Sequence, residues 1–162
     1  MSWQRTLAHT LRRMPWAAHV LRVAVRMVQP RVTLGVVGVL LDADRAHVLL
    51  VEHVFHPQHP WGLPGGWMNR GEDPAQTIVR EFAEETGLRV HPERLLLTQR
   101  SVDYRQHIDV VYLCALDGAE QTVRLDPNEL LAYRWVAPAD LPPLIRLHQQ
   151  GIQAAFGQSG VR

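Results

Sequence analysis

The sequence predicts one α/β sandwich built round a mixed sheet, with a helical arm ahead of it. Three observations predict it. Apolar, β-branched runs of strand length alternate with one strongly capped helix. The 162 residues, 46% apolar and 20% charged, suffice for a single full core and are too apolar for a disordered chain. The first 31 residues follow a different pattern, with apolar positions at helical spacing.

The arm comes first. Leu7, Leu11, Met14 and Ala18 form one stripe; Val20, Leu21, Ala24, Val25 and Val28 form another. Pro15 and Pro30 punctuate them, so one or two amphipathic helices are expected over residues 3 to 28. Six of the 17 basic residues stand before the first acidic one, Asp42, and every basic residue is Arg. The arm is therefore strongly positive, whereas the whole chain carries only +1, which gives no reason to expect a nucleic-acid partner. An arm of this kind serves either as a membrane-surface helix, with Trp3 and Trp16 at the interface, or as a helix packed on its own domain or on a second copy in a homodimer. Packing is favoured, because any surface helix needs an apolar face.

The main domain is expected over residues 32 to 162. Val32 to Leu41 and His47 to Val54 read as strands, and the polar Asp42-Ala43-Asp44-Arg45 between them suggests a β-hairpin. Phe55 to Gly71, rich in Pro, Gly and His, reads as a loop. Asp73 is placed to cap a helix with Pro74 in its first turn, Gln76 to complete a capping box and Gly87 to stop it. Further strands are expected near Arg94 to Ser101, His107 to Leu116 and Tyr133 to Val136, and a last helix over Leu144 to Phe156. Cys114, the one cysteine, lies in an apolar run and is expected to be a buried thiol; it excludes an internal disulfide and points to a reducing, cytoplasmic compartment. No apolar run approaches the roughly 18 residues that span a bilayer.

The chemistry concentrates between Gly66 and Leu88. On a helix starting at Asp73, Glu81, Glu84 and Glu85 share one face, while Ile78, Val79, Phe82 and Ala83 can enter the core. Three like charges at this spacing repel one another. A hard cation relieves the repulsion, and carboxylates are the ligands that magnesium takes, with substrate phosphate completing its shell. For three glutamates alone, a solvated acidic face on a surface helix is the favoured explanation. The preceding Leu63-Pro64-Gly65-Gly66 adds the second element, a backbone that a ligand can approach closely.

Together these residues resemble the Nudix box: Gly66, five residues, Glu72, seven residues, then Arg80-Glu81-Phe82-Ala83-Glu84-Glu85-Thr86-Gly87-Leu88. All nine constrained positions are met. The resemblance covers Val32 to about Leu147 and implies a Nudix-type α/β/α sandwich. It also implies a hydrolase that cleaves a diphosphate bond in a nucleoside diphosphate derivative with Mg²⁺ or Mn²⁺. It makes Glu84 and Glu85 principal metal ligands, Glu81 a further ligand or the base, and the carbonyl of Gly65 another ligand. Arg80 would orient a neighbouring glutamate, and Glu72 would bind metal through water or brace the loop. A base outside the box is the alternative, with Asp103, Asp109, Glu120 and Glu129 as candidates.

Substrate contacts are less legible. Phe55, Trp61, Trp67, Tyr104 and Arg105 are candidates for stacking on a nucleobase. Tyr104 stands 16 residues beyond the box, as in the dinucleoside-polyphosphate subgroup, while the proline of the ADP-ribose subgroup is replaced by Asp103. His53, His56 and His59 are broken by Pro57 and Pro60 and read as loop histidines rather than a zinc site. A Nudix-like sensor module that binds a nucleotide without turnover is the competing function. The complete set of box glutamates weighs against it.

Overall fold

The computed structural model describes residues 15–29, 31–102, 104–118 and 121–157. The chain divides into two compact units, Met1–Arg31 and Val32–Arg162. In the first, α1 (Pro15–Val28) is a regular helix that leaves Trp16, Val20, Leu21, Val23, Val25, Met27 and Val28 exposed. The predicted stripe from Leu7 to Met14 lies outside the described residues. Among those described, no helix is long and apolar enough to cross a membrane.

The second unit contains β1 (Thr33–Leu40), β2 (Val48–His53), β3 (Trp61–Gly62), β4 (Gly65–Trp67), α2 (Pro74–Thr86), β5 (Val90–Arg100), β6 (His107–Leu116), β7 (Leu130–Val136) and α3 (Arg146–Gly157). They build two sheets, one ordered β4-β1-β6-β5 and the other β3-β2-β7. β1 runs parallel to β6 and antiparallel to β4, so the larger sheet is mixed, as expected.

Alternation along β1 and β6 explains the layers. Val36, Leu40, Val110 and Cys114 join Ile78 and Phe82 of α2 in one core. Val39, Val111 and Leu113 join Ile152 and Ala155 of α3 in the other. Ile78 and Phe82 are fully buried, and each contributes about 1.5–3 kcal/mol by leaving water. Cys114 is 3% exposed, and burial pushes its thiol up to about 12, so it is an inert core residue.

Three expectations need correction. The hairpin closes only at its turn, through the antiparallel bridge Leu41↔Val48 and the Asp42 amide donating to the His47 carbonyl at 3.0 Å; β1 and β2 themselves diverge into different sheets, because each finds longer partners elsewhere. The segment from Phe55 to Gly71 is not wholly loop, since β3 and β4 lie within it. Val79 and Ala83 are exposed rather than buried; α2 turns a narrower apolar stripe to the sheet, built on Ile78 and Phe82. The helix limits hold closely. Asp73 accepts from the Gln76 amide at 2.8 Å, Gln76 Oε1 accepts from the Asp73 amide at 3.0 Å, and Gly87 ends α2 in the left-handed conformation.

Candidate active site

The box glutamates do not behave as one group. Glu81 and Glu85, one turn apart, are buried, at 8% and 4% exposure, whereas the side chain of Glu84 is 58% exposed. The glycine loop causes the division. The Gly65 amide donates to Glu85 Oε2 at 2.9 Å, and Gly66 lies so close to Glu81 that a Cβ there would stand 2.4 Å from Oε1. Gly65 itself has φ +149°, and a Cβ on it would meet the Val36 carbonyl at 2.2 Å. Pairing of Gly65–Trp67 with Gly35–Val37 holds this backbone across the face of α2.

Arg80 gathers the other carboxylates. Its Nε donates to Glu72 Oε1 at 2.7 Å, and one terminal nitrogen reaches Glu81 Oε1 at 2.8 Å and Glu84 Oε2 at 2.9 Å. The other reaches the Trp67 carbonyl at 3.1 Å. Glu72 also accepts from the Asn69 amide and the Thr77 hydroxyl, both at 3.0 Å, so it braces the loop against α2. The Arg80 bonds, helped by these, bring its carboxyl down to about 2.

Burial does the reverse to the inner pair. It raises Glu81 against the pull of Arg80, and raises Glu85 to about 8, with the charges of Glu81, Glu129 and Glu84 adding to the effect. Two buried carboxylates with such a load are a fit for a divalent cation. The donors are all oxygen, and the missing side chain at Gly66 lets the Glu81 carboxyl lie directly against the loop backbone. Among the described residues no three acidic, His or Cys side chains stand in a ready-made metal cage, because Glu84 is turned to Arg80.

The segment before β7 closes the far end of α2. Arg124 N donates to the Thr86 carbonyl at 2.8 Å and Asp126 N to the Glu85 carbonyl at 3.0 Å. This brings Glu129 within electrostatic reach of both Glu81 and Glu85. Of the other bases expected outside the box, Asp109 is paired with His107 on β6, and Asp103 and Glu120 lie outside the described residues.

The sequence model of the NUDIX domain matches residues 31–155. The chain belongs to the Nudix hydrolase family. It is 31% identical over 105 residues to Nucleoside diphosphate-linked moiety X motif 6 of Xenopus laevis, covering 63% of this chain and 48% of that protein. The chain thus spans about half the length of this curated relative. Among solved structures, an ADP-ribose pyrophosphatase from Streptococcus suis superposes with TM-score 0.65 at 26% identity, over 82% of this chain and 95% of the other. The NUDIX domain of Shewanella oneidensis NrtR, complexed with ADP ribose, does so with TM-score 0.66 at 27% identity, over 82% and 92%.

Within this Nudix domain, two of the predicted stacking residues come together. Trp67 and Tyr104 are both 54% exposed, with ring centres 6.0 Å apart, and both rest on the buried ring of His107, at 4.8 Å and 5.7 Å. Trp67 directly follows the glycine loop. Trp61 is half-buried beneath Arg134, whose guanidinium lies 3.7 Å from its ring centre. Phe55 is 75% exposed and Arg105 is exposed, neither joined to the Trp67 cluster by a ring contact. His53 and His56 meet edge to face at 5.4 Å. His107 escaped the sequence reading, although its alternation with Asp109 at the head of an apolar strand marks a polar patch on one sheet face.

Proposed function

We propose that the chain hydrolyses a diphosphate bond in a nucleoside diphosphate derivative. The observation that carries this reading is the buried pair Glu81–Glu85 beneath the Gly65–Gly66 backbone. The carboxylates of Glu81 and Glu85, with Glu84 on release from Arg80 and the Gly65 carbonyl, would hold Mg²⁺ or Mn²⁺. The bound cation supplies neutralisation of the diphosphate charge and polarisation of its oxygens. Arg80 fixes Glu81 by a charge-assisted bond and ties it to Glu72, so loop and helix keep one geometry. Glu129, beside the inner carboxylates and outside the box, is the candidate base that takes a proton from the attacking water. Trp67 and Tyr104 offer exposed ring faces on which a nucleobase stacks, next to the loop that meets the phosphates.

The similar proteins support this reading, since one is named for a nucleoside diphosphate-linked moiety, one is an ADP-ribose pyrophosphatase and one is complexed with ADP ribose. A turnover screen tests it. It would use Mg²⁺ and Mn²⁺ with ADP-ribose, sugar nucleotides, dinucleoside polyphosphates and nucleoside triphosphates, with Glu85→Gln as control. Hydrolysis of one class, lost in the control, is the expected result. Nucleotide binding without hydrolysis in the folded, metal-loaded wild type would transfer the assignment to a sensor module.

A further inference from the structure

Helix α1 (Pro15–Val28) divides its circumference unevenly. At about 3.6 residues per turn, successive residues stand about 100° apart. An apolar arc of about 200° then runs from Val23 through Trp16, Met27, Val20 and Leu21 to Val25. Every described side chain within that arc is apolar and exposed. His19, Arg22 and Arg26 share the opposite strip, about 60° wide. The helix contains no acidic residue. Arg31 follows it, and the first carboxylate side chain of the sequence is Asp42.

Width and charge together select what covers this face. A helix lying on a protein core needs an apolar stripe of roughly 100° and keeps the rest polar. The arc of α1 is about twice as wide, and its polar strip carries charge of one sign only. Among the described residues neither Arg22 nor Arg26 pairs with a carboxylate; Arg22 Nε donates to the Ala18 carbonyl at 3.3 Å, one turn back. A second copy of the helix would bring more cations, not the opposite charge. A nucleic acid would take the arginines and leave the arc in water. An anionic lipid surface takes both: headgroups receive the guanidinium groups, whose long stems reach out of the apolar layer, and acyl chains receive the arc. Trp16, within the arc at the start of the helix, has the amphipathic ring that suits this boundary.

We propose that α1 lies in the plane of an anionic lipid bilayer, with its arc in the acyl boundary and Arg22 and Arg26 among the headgroups. At about 1.5 Å per residue its 14 residues reach about 21 Å, short of the roughly 30 Å hydrocarbon core. The cationic strip also runs from His19 to Arg26, so the helix lies on the surface rather than entering end-on. The sequence alone favours packing for this arm; the exposure of the whole arc and the single sign of its charge reverse that preference. Without lipid the same arc is a patch for weak self-association. The inference is independent of the chemistry at the box glutamates.

Co-sedimentation of the full chain with vesicles tests it. The vesicles are phosphatidylcholine with and without about a third phosphatidylserine, at about 0.1 M salt. The wild type should bind the anionic vesicles at least about tenfold more tightly than the neutral ones. The double variant Arg22→Gln, Arg26→Gln should weaken binding to the anionic vesicles by about 25-fold, at about fivefold for each charge, and leave binding to the neutral ones unchanged. Met27→Asp, within the arc, should weaken binding to both. Melting temperature and Mn²⁺ binding should match wild type in both variants, which separates lost lipid contact from a lost fold. No binding to anionic vesicles, equal binding to the two kinds, or an unchanged affinity in the double variant overturns the proposal. So does a stable dimer that vesicles leave intact and Met27→Asp dissociates, which would assign the arc to a second copy.

Discussion

The backbone amide of Gly65 donates to Oε2 of Glu85 at 2.9 Å, across twenty residues of chain. That single bond draws a carboxylate out of solvent and beneath the loop, where burial and neighbouring charge raise it to about 8.

A stability prediction follows from the sign of that shift. A carboxyl whose folded value lies above the ordinary 4.5 favours the fold below that pH, and the contribution is lost as pH rises through about 8. At pH 7 without divalent metal, Glu85 therefore weakens the fold. Glu85→Gln keeps an acceptor for Gly65 and removes the charge. It should raise stability by roughly 1–3 kcal/mol while turnover falls at least a hundredfold. Chemical denaturation beside a kinetic assay checks this, and a variant less stable than wild type would contradict it.

The two loop glycines should fail in different ways. Gly65→Ala forces a Cβ against the Val36 carbonyl at a positive φ, so it should cost several kcal/mol of stability. Gly66→Ala meets the movable end of Glu81 instead, so melting should change by only a few degrees while turnover falls at least tenfold. Melting curves and kcat for the pair decide the matter; equal melting losses would show that the loop is only a turn.

His148 of α3 gives an acid-range prediction. It is buried and accepts the Leu63 amide at 3.2 Å; burial, with the charges of His53 and His56, brings it down to about 3. A histidine depressed below 6.5 favours the fold fully above that value. The benefit is lost as pH falls from 6.5 toward 3, at up to about 1.4 kcal/mol per unit. His148→Gln should flatten the decline of stability between pH 6.5 and 4, although His53, brought down to about 4, will leave part of it. Parallel curves for the two proteins would contradict the assignment.

The arm is expected to act on assembly rather than chemistry. Removing residues 1 to 28 takes away the exposed apolar surface of α1, and should change oligomeric state or solubility while kcat/KM stays within about threefold. Light scattering and kinetics on both chains test it; a large loss of turnover with unchanged assembly would count against it.

What the sequence revealed was local. The capping box at Asp73, the stop at Gly87 and the i, i+4 relation of Glu81 and Glu85 need only neighbours in the chain, and all three stand in the structure. What it hid was set by distant pairing. Alternation identified residues 33–40 and 48–53 as strands but could not show that they enter different sheets. The separation of Glu84 from its buried neighbours depends on a loop twenty residues upstream. The contact of Trp67 with His107 depends on β1 lying between them, a register no short window contains.

The central claim is that Glu81 and Glu85 hold a divalent cation. Direct titration of Mn²⁺ into wild type, Glu85→Gln and Glu84→Gln, read by electron paramagnetic resonance of the free ion, tests it most directly. The account predicts saturable binding by the wild type, loss of at least tenfold in affinity for Glu85→Gln, and a smaller loss for the exposed Glu84. Equal binding by all three proteins would contradict it.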